Sequence, residues 1–320
     1  MKNLLILVIT IAFFSCKEES KNKEASVLLK TDKSLEDKSI EVITSLGDTI
    51  YSFKNQTGGI IEKYEQAKSD YELASNDAEA IIWYGRRTAY LGRYTDAIAI
   101  FSEGIEKHPE NPKMYRHRGH RYITIRKFKK AIADFEKAVS LIEGTEDEVE
   151  PDGVPNPLGI PVSTLHGNIW YHLALVYYLE NDMDNALRIY LEGQKVAKND
   201  DNIVSRAHWL YMTYRRMHKT EEAKKLVEVV KTDMNVIENM VYHKMCLFYK
   251  GAIPLDSLKT KGKQGHAEDA ILYGLGNWYL YNGEVALAKA TYEDLLAKEV
   301  KLSFAYIAAE ADYTRLFKEK

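Results

Sequence analysis

Arginine, tyrosine and histidine recur along this chain at spacings that bring them to one side of successive helices. Arg86 pairs with Tyr90, Arg116 with His120, and Tyr171 with Tyr178; His208 precedes Arg215 and Arg216, and Tyr273 is followed by Asn277 and Tyr281. Side chains three, four or seven apart share a helix face. Glu79 is the one acid on this stripe. A guanidinium offers a planar fork for a carboxylate or phosphate, and a tyrosine offers a stacking body with a polar tip. The chemistry such a face supports is capture of an acidic or carboxylate-bearing ligand, an extended peptide or an acidic saccharide, with no cofactor. The competing expectation is internal: acids of the segment 143–161 neutralise the same arginines, closing the groove on its own insertion.

Other constellations are weaker. His117, His120, His166, His172, His208 and His243 fall in neighbouring stretches, and with Glu150 or Asp152 they could be drawn as a zinc site or as the site of an envelope enzyme. Their spacing matches no metal motif such as His-Glu-x-x-His. Ser163 and Thr164 near His166 give no evidence of a nucleophile and base. Glycine-rich phosphate loops, nucleophile elbows and calcium loops are absent from the sequence. Arg118 occupies a position that buries its side chain, so it needs a partner, and Glu150 or Asp152 is the expected one.

The elements that must hold these residues repeat. Ile81, Tyr84, Gly85 and Thr88 are followed by Ala97, Phe101 and Pro109; Tyr115, Arg118, Gly119 and Tyr122 are followed by Ala131 and Phe135. Ala97 and Ala131 stand 34 residues apart. Three further copies run Trp170, Leu173, Ala174, Tyr177, Ala186, Tyr190; then Leu210, Tyr211, Tyr214, Ala223, Val227; then Leu272, Leu275, Gly276, Tyr279, Ala288, Tyr292. This pattern resembles the tetratricopeptide repeat over roughly residues 78–298. The resemblance implies an all-α, right-handed helical solenoid of five to six helix pairs whose first helices line a concave face. Arg116 to Tyr122, Glu150-Pro151-Asp152-Gly153, Ser163 to His166 and Tyr273 to Trp278 also resemble stretches of bacterial repeat proteins without an assigned activity.

Two intervals between copies are long. The first holds the acidic, proline-rich insertion 143–161; the second holds nearly a whole extra repeat, with Val236 to Tyr249 as its first helix and Ile253 to Gly265 as a degraded second half. A helix is expected from Ile60 to Leu73, and another from Phe304 to Phe317 as a solvating cap.

The N-terminus sets the address. Met1-Lys2-Asn3 leads into the uncharged run Leu4 to Phe14, which is too short to anchor in a bilayer as a helix. Ser15-Cys16 closes it, with Phe13 where an aliphatic residue is usual, and the whole resembles a lipoprotein signal ending at Cys16. Residues 1–15 read as the signal peptide, Cys16 as the lipidation site, 16–58 as a flexible tether with one short helix around Leu35 to Leu46, and 59–320 as the solenoid. Lys17-Glu18-Glu19 resembles a short tag for outer-membrane surface export. Cys246, the second of two cysteines, sits in an apolar run and is expected buried, so no disulfide framework is possible. A net charge of -3 gives no general pull toward nucleic acid. The sequence therefore reads as a non-enzymatic binding or scaffolding lipoprotein at the cell envelope, anchored to the membrane through lipid and engaging a protein or peptide. A lipoprotein assisting assembly of an outer-membrane complex is the third reading.

Overall fold

Alanine and aromatic residues that recur once per repeat sit where two helices touch, and they organise the molecule. The computed structural model describes residues 39–52, 59–258, 265–299 and 301–318. A lone helix α1 (Gly59–Leu73) precedes the pairs α2 (Ala78–Tyr90) with α3 (Tyr94–Lys107) and α4 (Pro112–Thr124) with α5 (Phe128–Ile142). After the insertion come α6 (Leu165–Leu179) with α7 (Met183–Lys195) and α8 (Asp200–Arg216) with α9 (Thr220–Val227). The extra repeat keeps its first helix, α10 (Met240–Tyr249), while its second half shrinks to a single 3-10 turn at Leu255–Leu258. The pair α11 (His266–Tyr281) with α12 (Val285–Leu296) and a final helix α13 (Phe304–Leu316) complete the chain. The signal peptide 1–15, Cys16 and the Lys17-Glu18-Glu19 tag lie outside the described residues, as do parts of the expected tether and of the degraded half-repeat. Among the described residues no helix is long and apolar enough to cross a membrane.

Each pair turns through one residue in the left-handed region: Gly92, Arg126, Asn181, His218, Gly251 and Gly283. Six such turns mark six repeats, five of them full helix pairs and one, at α10, with its second helix reduced to the 3-10 turn among the described residues. The anchors Ala97, Phe101, Ala131, Phe135, Ala186, Tyr190, Ala223, Val227, Ala288 and Tyr292 are all buried. In the first, second and last pairs a glycine on the first helix receives the aromatic ring of the second. A Cβ on Gly85 would fall 2.6 Å from Phe101, and one on Gly276 would fall 2.3 Å from Tyr292. Since Tyr292 is itself fully enclosed, Gly276→Ala is expected to cost about 1–3 kcal/mol through overpacking. A urea midpoint equal to that of the wild type would contradict this.

Two segments depart from expectation. Residues within the expected tether and helix form an antiparallel hairpin, β1 (Ile40–Ile43) and β2 (Thr49–Tyr51), with Val42 opposite Ile50. Burial alternates along β2, with Ile50 inward and Tyr51 outward, while a register shift between Ile40 and Val42 breaks the alternation in β1 and leaves Glu41 buried and Ile40 and Ile43 exposed. Glu41 accepts from the Thr95 amide at 2.7 Å, and Glu310 accepts from the Ser45 amide at 3.0 Å, so the hairpin ties the first repeat to the last helix. The final helix is not a solvating cap. Ala305, Tyr306, Ile307, Ala308 and Ala309 are buried, and α13 packs against α6, α11 and α12. Its small residues admit close approach, and two acids tie it down: Glu310 pairs with Arg126 at 2.9 Å, and Asp312 with Arg216. The C-terminal end of the concave face is thereby filled by the chain itself.

Candidate functional site

The insertion decides what remains open at the other end. Its stem is pinned by an isolated bridge between Val149 and Thr164, and residues 150–153 then lie as a strap across α2 and α4. Arg116 Nε is 3.0 Å from Glu150 Oε2, an ion pair whose N–H is not aligned for a hydrogen bond. Arg86 donates to the Pro151 carbonyl at 2.7 Å and Arg87 to the Gly153 carbonyl at 2.8 Å. Asn168 Nδ2 donates to Glu150 at 2.9 Å. Gly153 passes so close to Tyr90 that a Cβ would meet the phenol oxygen at 1.7 Å, and no larger residue fits without movement.

Beneath the strap lies a cavity of about 210 Å³, walled by Arg86, Tyr90, Arg116, His117, His120, Arg121, His172, Glu150 and Asp152. Three guanidiniums face two carboxylates. Arg121 stacks near Tyr94, with 5.8 Å from its guanidinium carbon to the ring centre, and no carboxylate among the described residues pairs with it. Burial, with Arg116 and Arg86 nearby, pulls its pKa down to about 10 against the opposing pull of Tyr94 and Tyr90, leaving it charged at neutral pH. Partial burial raises Asp152, with Arg86 opposing.

The imidazoles add no charge. Burial, reinforced by neighbouring arginines, holds His117 and His120 well below the usual histidine range and His172 at about 3. Arg116 donates to His117 Nδ1 at 3.1 Å, which leaves the ring proton on Nε2, 3.6 Å from Glu150. His208, also at about 3 through burial alone, lies in an aromatic stack with Tyr242 and Tyr249. Folded-state values below the ordinary value of 6.5 mean that the unfolded chain binds more protons between roughly pH 3 and pH 6.5. The stability these groups contribute is complete above pH 6.5 and is lost as pH falls toward 3. The urea midpoint is therefore expected to decline steadily from pH 7 to pH 4.5, and His172→Phe to flatten that decline. An unchanged midpoint over this range would refute the assignment of neutral imidazoles.

A second cavity of about 240 Å³ adjoins the first and shares Ser163, Asn168 and His172 with it. Tyr171, Asn202, Arg206, Glu238, Tyr242 and Phe304 complete its wall, with Phe304 contributed by the final helix. Phe304 also packs 5.3 Å from the His120 ring, so α13 borders both spaces.

The stripe expected as one exposed face is thus divided. Arg86, Tyr90, Arg116 and His120 meet at the first cavity, but Arg86 and Arg116 are buried beneath the strap rather than open to solvent. Tyr171 lines the second cavity. Tyr178, Arg216, Tyr273 and Asn277 lie in the interior, where Arg216 stacks 4.4 Å from the Tyr178 ring centre, and Arg216 and the Tyr273 hydroxyl both bond to Asp312. His208 is fully buried. Arg215 and Tyr281 form a separate pair at 4.4 Å, beside Asn282. Arg86 and Arg116 are covered by the strap and Tyr178, Arg216, Tyr273 and Asn277 by α13, whereas His208 is covered by Tyr242 and Tyr249 of α10. Arg118 finds Asp134 on its own repeat in a two-pronged pair at 2.7 and 2.8 Å, with Ser102 at 3.0 Å, instead of Glu150 or Asp152.

The histidines divide as well: His117, His120 and His172 gather at the first cavity, and the other three lie apart from it. His166 bonds Thr145, His243 donates to the Lys231 carbonyl, and His172 donates to the Asn168 carbonyl. Among the described residues no three His, Cys, Asp or Glu side chains are gathered as a metal ion requires. Cys246 is buried as expected, its thiol pushed up by desolvation. Reasoning from the stripe missed Arg121, although it stands one turn beyond His117 on α4, and it missed the strap contacts of Arg87 and Asn168.

Tetratricopeptide repeat models match residues 85–147, 167–200 and 270–299. Together with the buried register of alanines and aromatics, these matches define a helical-repeat solenoid. The chain is a tetratricopeptide repeat protein. Among solved structures, it is similar to a tetratricopeptide repeat protein from Parabacteroides merdae, at 14% identity and a TM-score of 0.48 over 80% of this chain and 92% of that one. It is also similar to YrrB, described as a tetratricopeptide protein with an unusual peptide-binding site, at 15% identity and a TM-score of 0.43 over 73% and 92%. A third is BtubC from P. vanneervenii, at 16% identity and 0.44 over 75% and 90%. No curated protein matches the sequence.

Proposed function

We propose that this protein is a non-enzymatic scaffold of the bacterial cell envelope that takes a carboxylate-bearing segment of a partner protein into the arginine cavity. The observation that carries this reading is the imbalance beneath the strap: three guanidiniums, two carboxylates and three neutral imidazoles, with Arg121 facing no acid among the described residues. Arg121 is half-buried, and a cation drawn partly out of water without a counter-charge favours an incoming anion; guanidinium geometry favours a carboxylate. Repeat solenoids use their concave faces for binding, and here most of that face is already filled, which confines the ligand to the two adjoining cavities.

Capture from native envelopes by the immobilised chain tests the scaffold role. A protein retained by the wild type and lost by the Arg86→Ala/Arg121→Ala double variant supports it. Retention by both, or by neither, contradicts it.

Attachment through lipid at Cys16 rests on the apolar run 4–14 and on the change to polar residues after the cysteine. Multiple acyl chains would hold the protein firmly, since each buried methylene contributes about 0.8 kcal/mol. Labelled palmitate is expected to appear in the wild type and to vanish in Cys16→Ser, which is then released from the membrane fraction. Equal labelling of both would end this part of the reading, and protease accessibility on intact cells reports whether the outer surface is reached.

A further inference from the structure

The strap is bound in the way a ligand would be. It presents one carboxylate to Arg116 and two backbone carbonyls to Arg86 and Arg87, all at 2.7 to 3.0 Å. It crosses the first helices of two successive repeats, and it enters from an insertion that belongs to neither helix pair. None of these bonds is needed to stack the repeats, whose contact surfaces are filled by the alanine and aromatic anchors. Glu150-Pro151-Asp152-Gly153 therefore occupies a peptide seat, and what it offers describes what the seat accepts.

We propose that the strap is a built-in pseudo-ligand, and that the partner is an extended acidic segment of another protein that displaces it. This rests on the reading of the cavity as a carboxylate seat. A displacing segment must supply an acid where Glu150 now lies and carbonyls for the two neighbouring arginines. To compete, it gains a further contact that the strap does not make, a carboxylate on Arg121. The strap thus sets a threshold: weakly acidic or short segments fail to replace it, because an intramolecular competitor acts at high effective concentration.

The probe is a fluorescent peptide copying residues 147–154, measured by anisotropy against the full-length chain. In Gly153→Ala the new Cβ would fall 1.7 Å from the Tyr90 hydroxyl, so either the strap lifts or the ring turns aside, and fast amide exchange at 150–153 identifies the lifted strap. This variant is expected to bind the peptide at least tenfold more tightly than the wild type does. The same peptide with Gln at the position of Glu150 is expected to lose that gain. If Gly153→Ala proves unfolded by circular dichroism, Glu150→Gln, which removes the strap's charge and keeps its shape, carries the same comparison.

Equal affinity for wild type and lifted variant, no binding to either, or indifference to the peptide's glutamate overturns the proposal. Concentration-dependent dimers of Gly153→Ala would make a second copy's strap the occupant and would overturn the assignment to another protein. Arg116→Ala in the lifted variant separates the two levels. If the peptide binds the wild type and Gly153→Ala alike yet is lost from Gly153→Ala/Arg116→Ala, the carboxylate seat stands and the pseudo-ligand falls. If Gly153→Ala/Arg116→Ala binds as Gly153→Ala does, the seat itself falls.

Discussion

Replacing Asp312 with alanine is expected to lower the unfolding free energy by about 3–5 kcal/mol, because it strands a buried guanidinium. Asp312 is almost wholly enclosed and accepts from Arg216, Arg315 and the Tyr273 hydroxyl. Arg216 in turn is fixed by Asn277 at 2.8 Å and stacks on Tyr178. Without the carboxylate, Arg216 has only dipoles and rings for company in the interior. Asp312→Asn should be intermediate, since an amide accepts hydrogen bonds but brings no charge. The double replacement Asp312→Leu/Arg216→Met should recover part of the loss, because the cost lies in the unpaired charge more than in the absent pair. Urea unfolding followed by helical circular dichroism checks this, and limited proteolysis should show α13 released first. A midpoint within error of the wild type would mean that the final helix is held by its apolar face alone.

Loss of Glu150 is expected to have the second-largest effect, and a more local one. Glu150→Ala removes the carboxylate beside Arg116, and both side chains are less than a tenth exposed. The penalty for an uncompensated charge there is about 3 kcal/mol or somewhat less, as Arg116 retains His117 and can draw water through the freed strap. The segment 150–161 should then exchange its amides quickly and become the first site of proteolytic cleavage, while the repeats remain folded. Uniform destabilisation with a protected strap would contradict this division between the strap and the solenoid.

These two acids show where sequence reasoning reaches and where it stops. The repeat register was legible because small and aromatic residues recur at helical spacing, and the same residues fill the contacts between helices. Burial of Cys246 was legible for a similar reason, an apolar run with nowhere else to go. Periodicity reports which side of a helix a residue is on, but not what later covers that side. Tyr178, Arg216, Tyr273 and Asn277 lie on the expected face, yet a helix that begins at Phe304 buries them. The signal for that helix was present in Ala305, Ala308, Ala309 and Ala311: small residues around Glu310 and Asp312 suit close packing with buried partners better than a solvated cap. Pairing of the insertion's acids with groove arginines was weighed in the sequence, and the structure has it. The choice of Arg116 over Arg118 depended on Asp134, sixteen residues onward on the partner helix. The hairpin at 40–51 was hidden because two short strands in a charged segment give too few alternations to outweigh composition.

The most direct measurement is a double-mutant cycle between Arg116 and the glutamate that copies Glu150 in the octapeptide 147–154, made on Gly153→Ala. That glutamate is replaced by Gln, and affinities are measured on Gly153→Ala and on Gly153→Ala/Arg116→Ala. The expected result is that the replacement loses about tenfold affinity on the first protein and nothing further on the second, a coupling near 1.4 kcal/mol. If the replacement has the same effect on both proteins, no carboxylate of the peptide meets Arg116, and the cavity is an internal polar network, not a seat for a partner.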